Sequence, residues 1–181
     1  MGYCASYNLR GPRPVGVPLQ ATDSEWDTLF YRVRIFKMDR EDPEEAPPVA
    51  TLRVRRVLIS KIVNEGRSVF ESMDQIDQLQ HDIYCEVWDE QSGGFRFEDS
   101  GCGDLLVFED VEFAEAAMLP DFDINAILDD IAYDVGGGDG LCVFVESYGD
   151  LVRFNVEYCE RLRGIGYALP ASWSGLARRR Q

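Results

Sequence analysis

The chain has 181 residues, 45% of them hydrophobic and 12% aromatic, and carries a formal charge of -15. That length can bury a substantial core, and no stretch reaches the roughly 20 apolar residues of a membrane-spanning helix, so one soluble α/β or α+β domain is expected. Charge is uneven: residues 1–70 hold 11 basic and 9 acidic side chains, residues 71–149 hold one basic (Arg96) against 21 acidic, and residues 150–181 hold six against three. Binding of phosphates rests on Lys and Arg displacing counterions, which excludes nucleic acid and anionic membrane as direct partners of the middle segment. It favours a basic partner, with a plain solvated acidic surface as the bland alternative.

In chain order, residues 1–28 are rich in Gly, Pro and polar groups and read as an irregular N-terminal arm, with 29–181 as a single domain. The arm lacks the apolar run of a secretory signal, and Gly2 followed by Ser6 meets only the bare myristoylation pattern. Five cysteines (Cys4, Cys85, Cys102, Cys142, Cys159) form no CxxC pair, which argues against a disulfide framework or a zinc site and for the cytoplasm. Cys85, Cys142 and Cys159 fall in apolar patterns and read as small core residues; Cys102, among carboxylates, makes a poor nucleophile.

"LFYRVRIFKM" (29–38) alternates like a half-exposed strand, and "VATLRVRRVLISKI" (49–62) reads as a second strand and a third, which sets Arg32 and Arg34 across from Arg53 and Arg55. "REDPEEAPP" (40–48) is a charged loop. From Ser68 the period becomes helical: Val69, Met73, Ile76, Ile83 and Val87 share one side, while Glu71, Asp74, Asp82, Glu86 and Asp89 gather on the other, giving one amphipathic helix of about 20 residues. His81, the single histidine, sits near the edge of the apolar side and reads as a partly buried, hydrogen-bonded residue rather than a catalytic one.

After a turn-rich connection (92–104), "LLVFEDVEF" (105–113) is a strand with Leu105, Val107, Glu109, Val111 and Phe113 on one face. Glu109 in that apolar row has two readings: a desolvated general base, or the partner of an arginine on the neighbouring strand. Pro120 and Asp121 open a helix whose core stripe is Ile124, Ile127, Leu128, Ile131 and Val135, with Asp123, Asp130 and Asp134 opposite and Gly136 to Gly138 as its stop. "LCVFVES" (141–147) is a buried strand, 150–166 a helix and 167–180 a final strand or hairpin. "DFDINAILDD" places acids at calcium-loop spacing, but Ala126 and Ala132 stand where the glycine and the bidentate glutamate belong, so no metal is expected.

This order, with "LLVFEDVEF" leading to a turn and helix and "NVEYCERLRGIGYALP" near the end, resembles the GNAT acyltransferase superfamily over residues 29–180. The resemblance implies a mixed, mostly antiparallel central sheet flanked by helices and an acetyl-CoA pyrophosphate held at the turn Arg/Gln-x-x-Gly-x-Gly/Ala. That motif falls on Met118, Leu119, Pro120, Asp121, Phe122 and Asp123, so carboxylates occupy the glycine positions and would repel a pyrophosphate. The resemblance also implies Glu109 as base and Tyr158 as acid, although the spacing after Tyr158 is longer than the family pattern, which leaves Cys159 or Leu162 as alternatives for that place.

Three readings follow. The first is a divergent GNAT-fold pseudoenzyme, needing no cofactor, that binds a basic protein surface through Glu71, Asp74, Asp82, Glu86, Asp123, Asp130 and Asp134, with mimicry of nucleic acid as its sharper form. The second is an active N-acetyltransferase using acetyl-CoA on a cationic amine. The third is a structural module with an inherited fold.

Overall fold

The computed structural model describes residues 3–10, 27–37, 47–96, 103–113, 121–136, 140–145, 147–148, 151–152 and 175–179. Its centre is a six-stranded sheet built from β1 (Tyr3–Arg10), β2 (Thr28–Lys37), β3 (Ala50–Val57), β6 (Asp104–Phe113), β7 (Gly140–Val145) and β10 (Gly175–Arg179), in that spatial order. Every neighbouring pair is antiparallel except β6 and β7, which run parallel. The sheet is therefore mixed and mostly antiparallel, as the GNAT resemblance implies. Two short hairpins complete the strands: β4 (Trp88–Asp89) with β5 (Gly94–Phe95), and β8 (Ser147–Tyr148) with β9 (Leu151–Val152).

Residues 3–10, read from composition as part of an irregular arm, form the strand β1, paired with β2 from Tyr3↔Lys37 to Arg10↔Phe30. The segment after residue 57 is also different from the expected third strand. It becomes the short helix α1 (Ile59–Asn64), whose Ile59 and Ile62 are buried and whose end is closed by Gly66 at φ 67°. There Arg67 N–H donates to Ile62 O and Gly66 N–H to Val63 O, the paired bonds of a left-handed helix stop that glycine adopts without strain.

The expected single helix over residues 68–90 is two helices, α2 (Val69–Asp74) and α3 (Gln78–Val87). Each has its own cap. Ser68 Oγ accepts from Glu71 N–H at 3.2 Å, and Asp77, extended at φ -167°, accepts from Gln80 N–H at 2.9 Å. A capped residue in extended conformation ends one helix and starts another, whatever the apolar period on either side. The period itself holds: Val69, Met73, Ile83 and Val87 are buried.

The sheet separates two cores. On one face Val33, Ile35, Leu52, Val54, Leu106, Phe108 and Cys142 pack against Leu128, Ile131, Ala132 and Val135 of α4 (Asp121–Gly136). On the other, Val57, Leu105, Val107, Leu141 and Val143 pack against α1, α2 and α3 through Ile59, Ile62, Met73, Leu79 and Ile83. Each such side chain taken fully from water contributes about 1.5–3 kcal/mol before the entropy of ordering is set against it. Of the α4 core stripe read from sequence, Leu128, Ile131 and Val135 are buried and Ile127 is half-buried; the side chain of Ile124 lies outside the described residues.

Candidate functional site

Glu109 occupies an irregularity in the β3–β6 ladder. Val54 pairs with Phe108 but Arg53 pairs with Asp110, so Glu109 is an extra residue in β6. Such a bulge re-aims side chains and shifts the alternation beyond it. The register then sets Val111 opposite Leu52 and Phe113 opposite Ala50, two positions of the α4-side core, so the expected single row from Leu105 to Phe113 ends at Glu109.

The carboxylate of Glu109 is buried against Arg55 Nε, in an ion pair whose two side chains are 9% and 10% exposed. Of its two readings, the arginine partner is the one present. The same guanidinium donates from Nη1 to Asp77 Oδ2 at 2.6 Å and to Gln80 Oε1 at 3.3 Å, and its Cζ lies 5.2 Å from the centre of the Phe30 ring. Gln80, fully buried, donates onward to Thr28 Oγ1 at 2.9 Å. Asp77 thus caps α3 and joins it to β3, while Gln80 reaches β2. A buried carboxylate held this way structures the α3–sheet junction.

A second junction lies on the α4 face. Arg56 donates from Nε to Asp104 Oδ2 at 2.8 Å and from Nη1 to the carbonyl of Val135 at 2.6 Å, near the C-terminal end of α4. The other oxygen of Asp104 accepts from Ser60 N–H at 3.2 Å, serving α1, which has no side-chain cap of its own. Gly136 meets Leu106 so closely that a Cβ there would lie 2.6 Å from Leu106 Cδ1. The C-terminal end of α4 therefore sits beside the start of β6, and the helix runs back along that strand.

For the expected pyrophosphate turn, Met118, Leu119 and Pro120 lie outside the described residues, and α4 begins at Asp121. Asp121 and Asp123 both fall in its first turn. An anion held at a helix N-terminus relies on free N–H groups and the positive dipole end. Tyr158, Cys159 and Leu162 lie outside the described residues.

The acidic residues divide between the two faces. Glu71, Asp74, Asp82 and Glu86 belong to α2 and α3; Asp130 and Asp134 are exposed on α4, across the sheet, and the side chain of Asp123 is outside the description. Several already have partners: Asp74 lies 2.8 Å from His81 Nδ1, Asp82 accepts from Gln78 at 2.7 Å, and Asp134 accepts from the Tyr7 hydroxyl at 2.6 Å. Partial burial and then the Asp134 contact push the Tyr7 phenol well above its ordinary range. His81 is also 3.5 Å from Cys85 Sγ through Nε2 and packs edge-on to Phe70. Cys85, read as a core residue, is exposed; Cys142 is buried as expected. The i,i+4 spacing of Cys85 from His81 puts it on the outer edge of α3.

The sequence sets Arg32 and Arg34 across from Arg53 and Arg55; in the β2–β3 register Arg34 is opposite Thr51 and Arg55 opposite Phe30, and of the expected facings only that of Arg32 and Arg53 is formed. Those two residues, with Thr51 and Glu112, line a cavity of about 180 Å3. The two alternating "RVR" runs were the available signal. No group of three or more metal-ligating side chains is assembled, and no helix is long and apolar enough to cross a membrane, among the described residues.

Fold and site together define a mixed α/β protein whose candidate base is engaged in an ion pair. No protein-family profile matches the sequence, and no curated protein matches it. Among solved structures the chain is similar to that of Arabidopsis thaliana NAA60 in complex with acetyl-CoA, at 10% identity and a TM-score of 0.40, over 96% of this chain and 98% of that one. Similarity of this degree is a likeness of chain course and decides nothing about chemistry.

Proposed function

We propose that this chain is a divergent GNAT-like protein without efficient acetyl-CoA-dependent catalysis, acting in the cytoplasm as a binding or regulatory protein for a basic partner. The observation that carries the reading is the Glu109–Arg55 ion pair. A general base must offer its carboxylate to a substrate proton, whereas this one is buried against a guanidinium that also holds Asp77 and Gln80. The carboxylates in the first turn of α4 support it independently. The acidic helical surface is the binding element, and mimicry of nucleic acid, with carboxylates standing for phosphates, is its sharper form.

One observation favours the alternative of an N-acetyltransferase acting on a cationic amine with acetyl-CoA. Among the described residues, β6 pairs with β7 only from Asp104 to Phe108 and runs on to Phe113 beside β3 alone. Strands that part in this way leave backbone groups that a ligand can meet. Titration calorimetry with acetyl-CoA, followed by an acetylation assay on spermidine and a lysine peptide, separates the two. The proposal expects no binding tighter than about 1 mM and no product. Micromolar binding or acetylated amine overturns it.

A further inference from the structure

The break between α2 and α3 brings three chemistry-bearing side chains together. In one continuous helix Asp74 and His81, seven positions apart in the sequence, would be separated by about 10 Å along the axis. The capped turn at Asp77 folds α2 against α3 instead, and Asp74 Oδ1 comes within 2.8 Å of His81 Nδ1. His81 and Cys85 share a face of α3 at i,i+4, which sets Nε2 3.5 Å from Cys85 Sγ. Phe70 packs edge-on against the imidazole, 5.6 Å between ring centres. Nδ1 is shielded from solvent and out of line for a hydrogen bond to the carboxylate. A bare lone pair so close to Asp74 would be repelled, so Nδ1 carries the ring hydrogen and Nε2 is the free base. Cys85 itself is exposed. A thiol, a base within reach of its proton and a third group beside the base form the arrangement that activates a nucleophile.

We infer that Cys85, with His81 and Asp74, is the nucleophile of a thiol–disulfide exchange site that takes small cationic disulfides. The Cys85 thiol proton passes to His81 Nε2 and Sγ attacks one sulfur of the disulfide. The S–S bond breaks, the leaving thiolate takes the proton from the imidazolium, and the products are a mixed disulfide on Cys85 and one free thiol. Asp74 acts as a positioning residue, its charge stabilising the imidazolium during the step. Acyl transfer to the same sulfur lacks support, because a tetrahedral oxyanion needs free donors. The N–H groups around Cys85 lie within α3, and residues 68–90 contain no Lys or Arg. Exchange needs no such donor. The preference for cations follows from charge. Residues 68–90 carry seven acidic side chains, with Asp82 one turn before Cys85 and Glu86 next to it, and such a field gathers cations and repels anions.

The test measures adduct formation on the full-length protein by mass spectrometry, with peptide mapping to locate it, for cystamine (a dication), bis(hydroxyethyl) disulfide (neutral) and dithiodipropionate (a dianion). Each rate is divided by that of the same reagent with the uncharged thiol N-acetylcysteinamide, which removes the reagent's own reactivity. Cys85 is expected to outrun this reference thiol with the neutral reagent. Normalised rates fall by about tenfold or more from cystamine to dithiodipropionate at low salt and converge in about 1 M sodium chloride. His81→Gln slows Cys85 by about tenfold or more with the neutral reagent, as loss of a general base does. Asp74→Asn, at an exposed position, slows the same reaction by about threefold, whereas a change of surface charge alone would leave a neutral reagent unaffected. Buried Cys142 staying unmodified shows that a variant is folded; where His81→Gln labels Cys142 as well, Asp74→Asn decides. Three results overturn the inference: a neutral-reagent rate at Cys85 no higher than the reference, an unchanged neutral-reagent rate in the deciding variant, or no preference for cystamine over dithiodipropionate.

Discussion

At the scale of single residues, Glu109 is a buried carboxylate paired with a guanidinium. Removing one member of a buried ion pair leaves the other charged and unpaired, so Glu109→Ala is expected to cost about 3–5 kcal/mol in urea unfolding. The double variant Glu109→Leu with Arg55→Met recovers part of that loss, since apolar side chains of similar size remove both desolvation penalties. Asp27 gives a pH signature. The hydrogen bond from Arg67 is the main cause that holds its carboxyl below the usual value, aided by the nearby charges of Arg67 and Lys61. A lowered folded pKa means that its contribution is complete above the unfolded value of about 3.9 and is lost as pH falls through the folded value. Asp27→Asn should therefore be less stable than the parent at pH 7 and show a shallower fall in urea midpoint below about pH 4. Cys85, exposed on α3, should react with a maleimide ahead of the buried Cys142, as peptide mass mapping would reveal.

At the scale of elements, caps decide what periodicity cannot. The apolar repeat through residues 69–87 is continuous enough to suggest one helix, yet Ser68 with Glu71 and Asp77 with Gln80 are spaced as two helix starts. Those signals were present in the sequence and the period masked them. The bulge at Glu109 is a different case. It arises from the pairing of β3 with β6, two segments separated by three helices, and alternation along β6 alone carries no trace of it. The start of β7 is equally a matter of pairing. A Cβ on Gly140 would lie 2.3 Å from the carbonyl oxygen of Asp104, a contact that only displacement of the parallel neighbour relieves. Gly140→Ala is expected to lower stability by about 1–3 kcal/mol in urea unfolding, with hydrogen exchange accelerated first in β7.

At the scale of the whole molecule, the acidic middle of the chain is distributed to both sides of the sheet. Residues 68–90 carry seven acidic side chains and no Lys or Arg, and they fold as α2 and α3 over one core, whereas Asp130 and Asp134 belong to α4 over the other. Under the proposed function a single basic partner meets one of these surfaces. The α2–α3 surface is the stronger candidate, because residues 68–90 concentrate seven acidic side chains with no Lys or Arg. Glu71→Lys with Asp74→Lys should weaken binding of a fluorescent oligolysine peptide in an anisotropy assay, while Asp130→Lys leaves it within about twofold; added salt weakens both, as expected for exposed charge. The sequence by itself determined the charge distribution, the apolar stripes of α2, α3 and α4, and the strands β2, β3, β6 and β7. These depend on local spacing, which the chain carries wherever it folds. Only the tertiary structure decided that β1 joins the sheet, that Glu109 pairs with Arg55, that the acidic helices lie on opposite faces, and that Arg34 lies opposite Thr51 rather than Arg55. Each of these is a contact between segments distant in sequence, fixed by strand register and by the need of every buried charge for a partner.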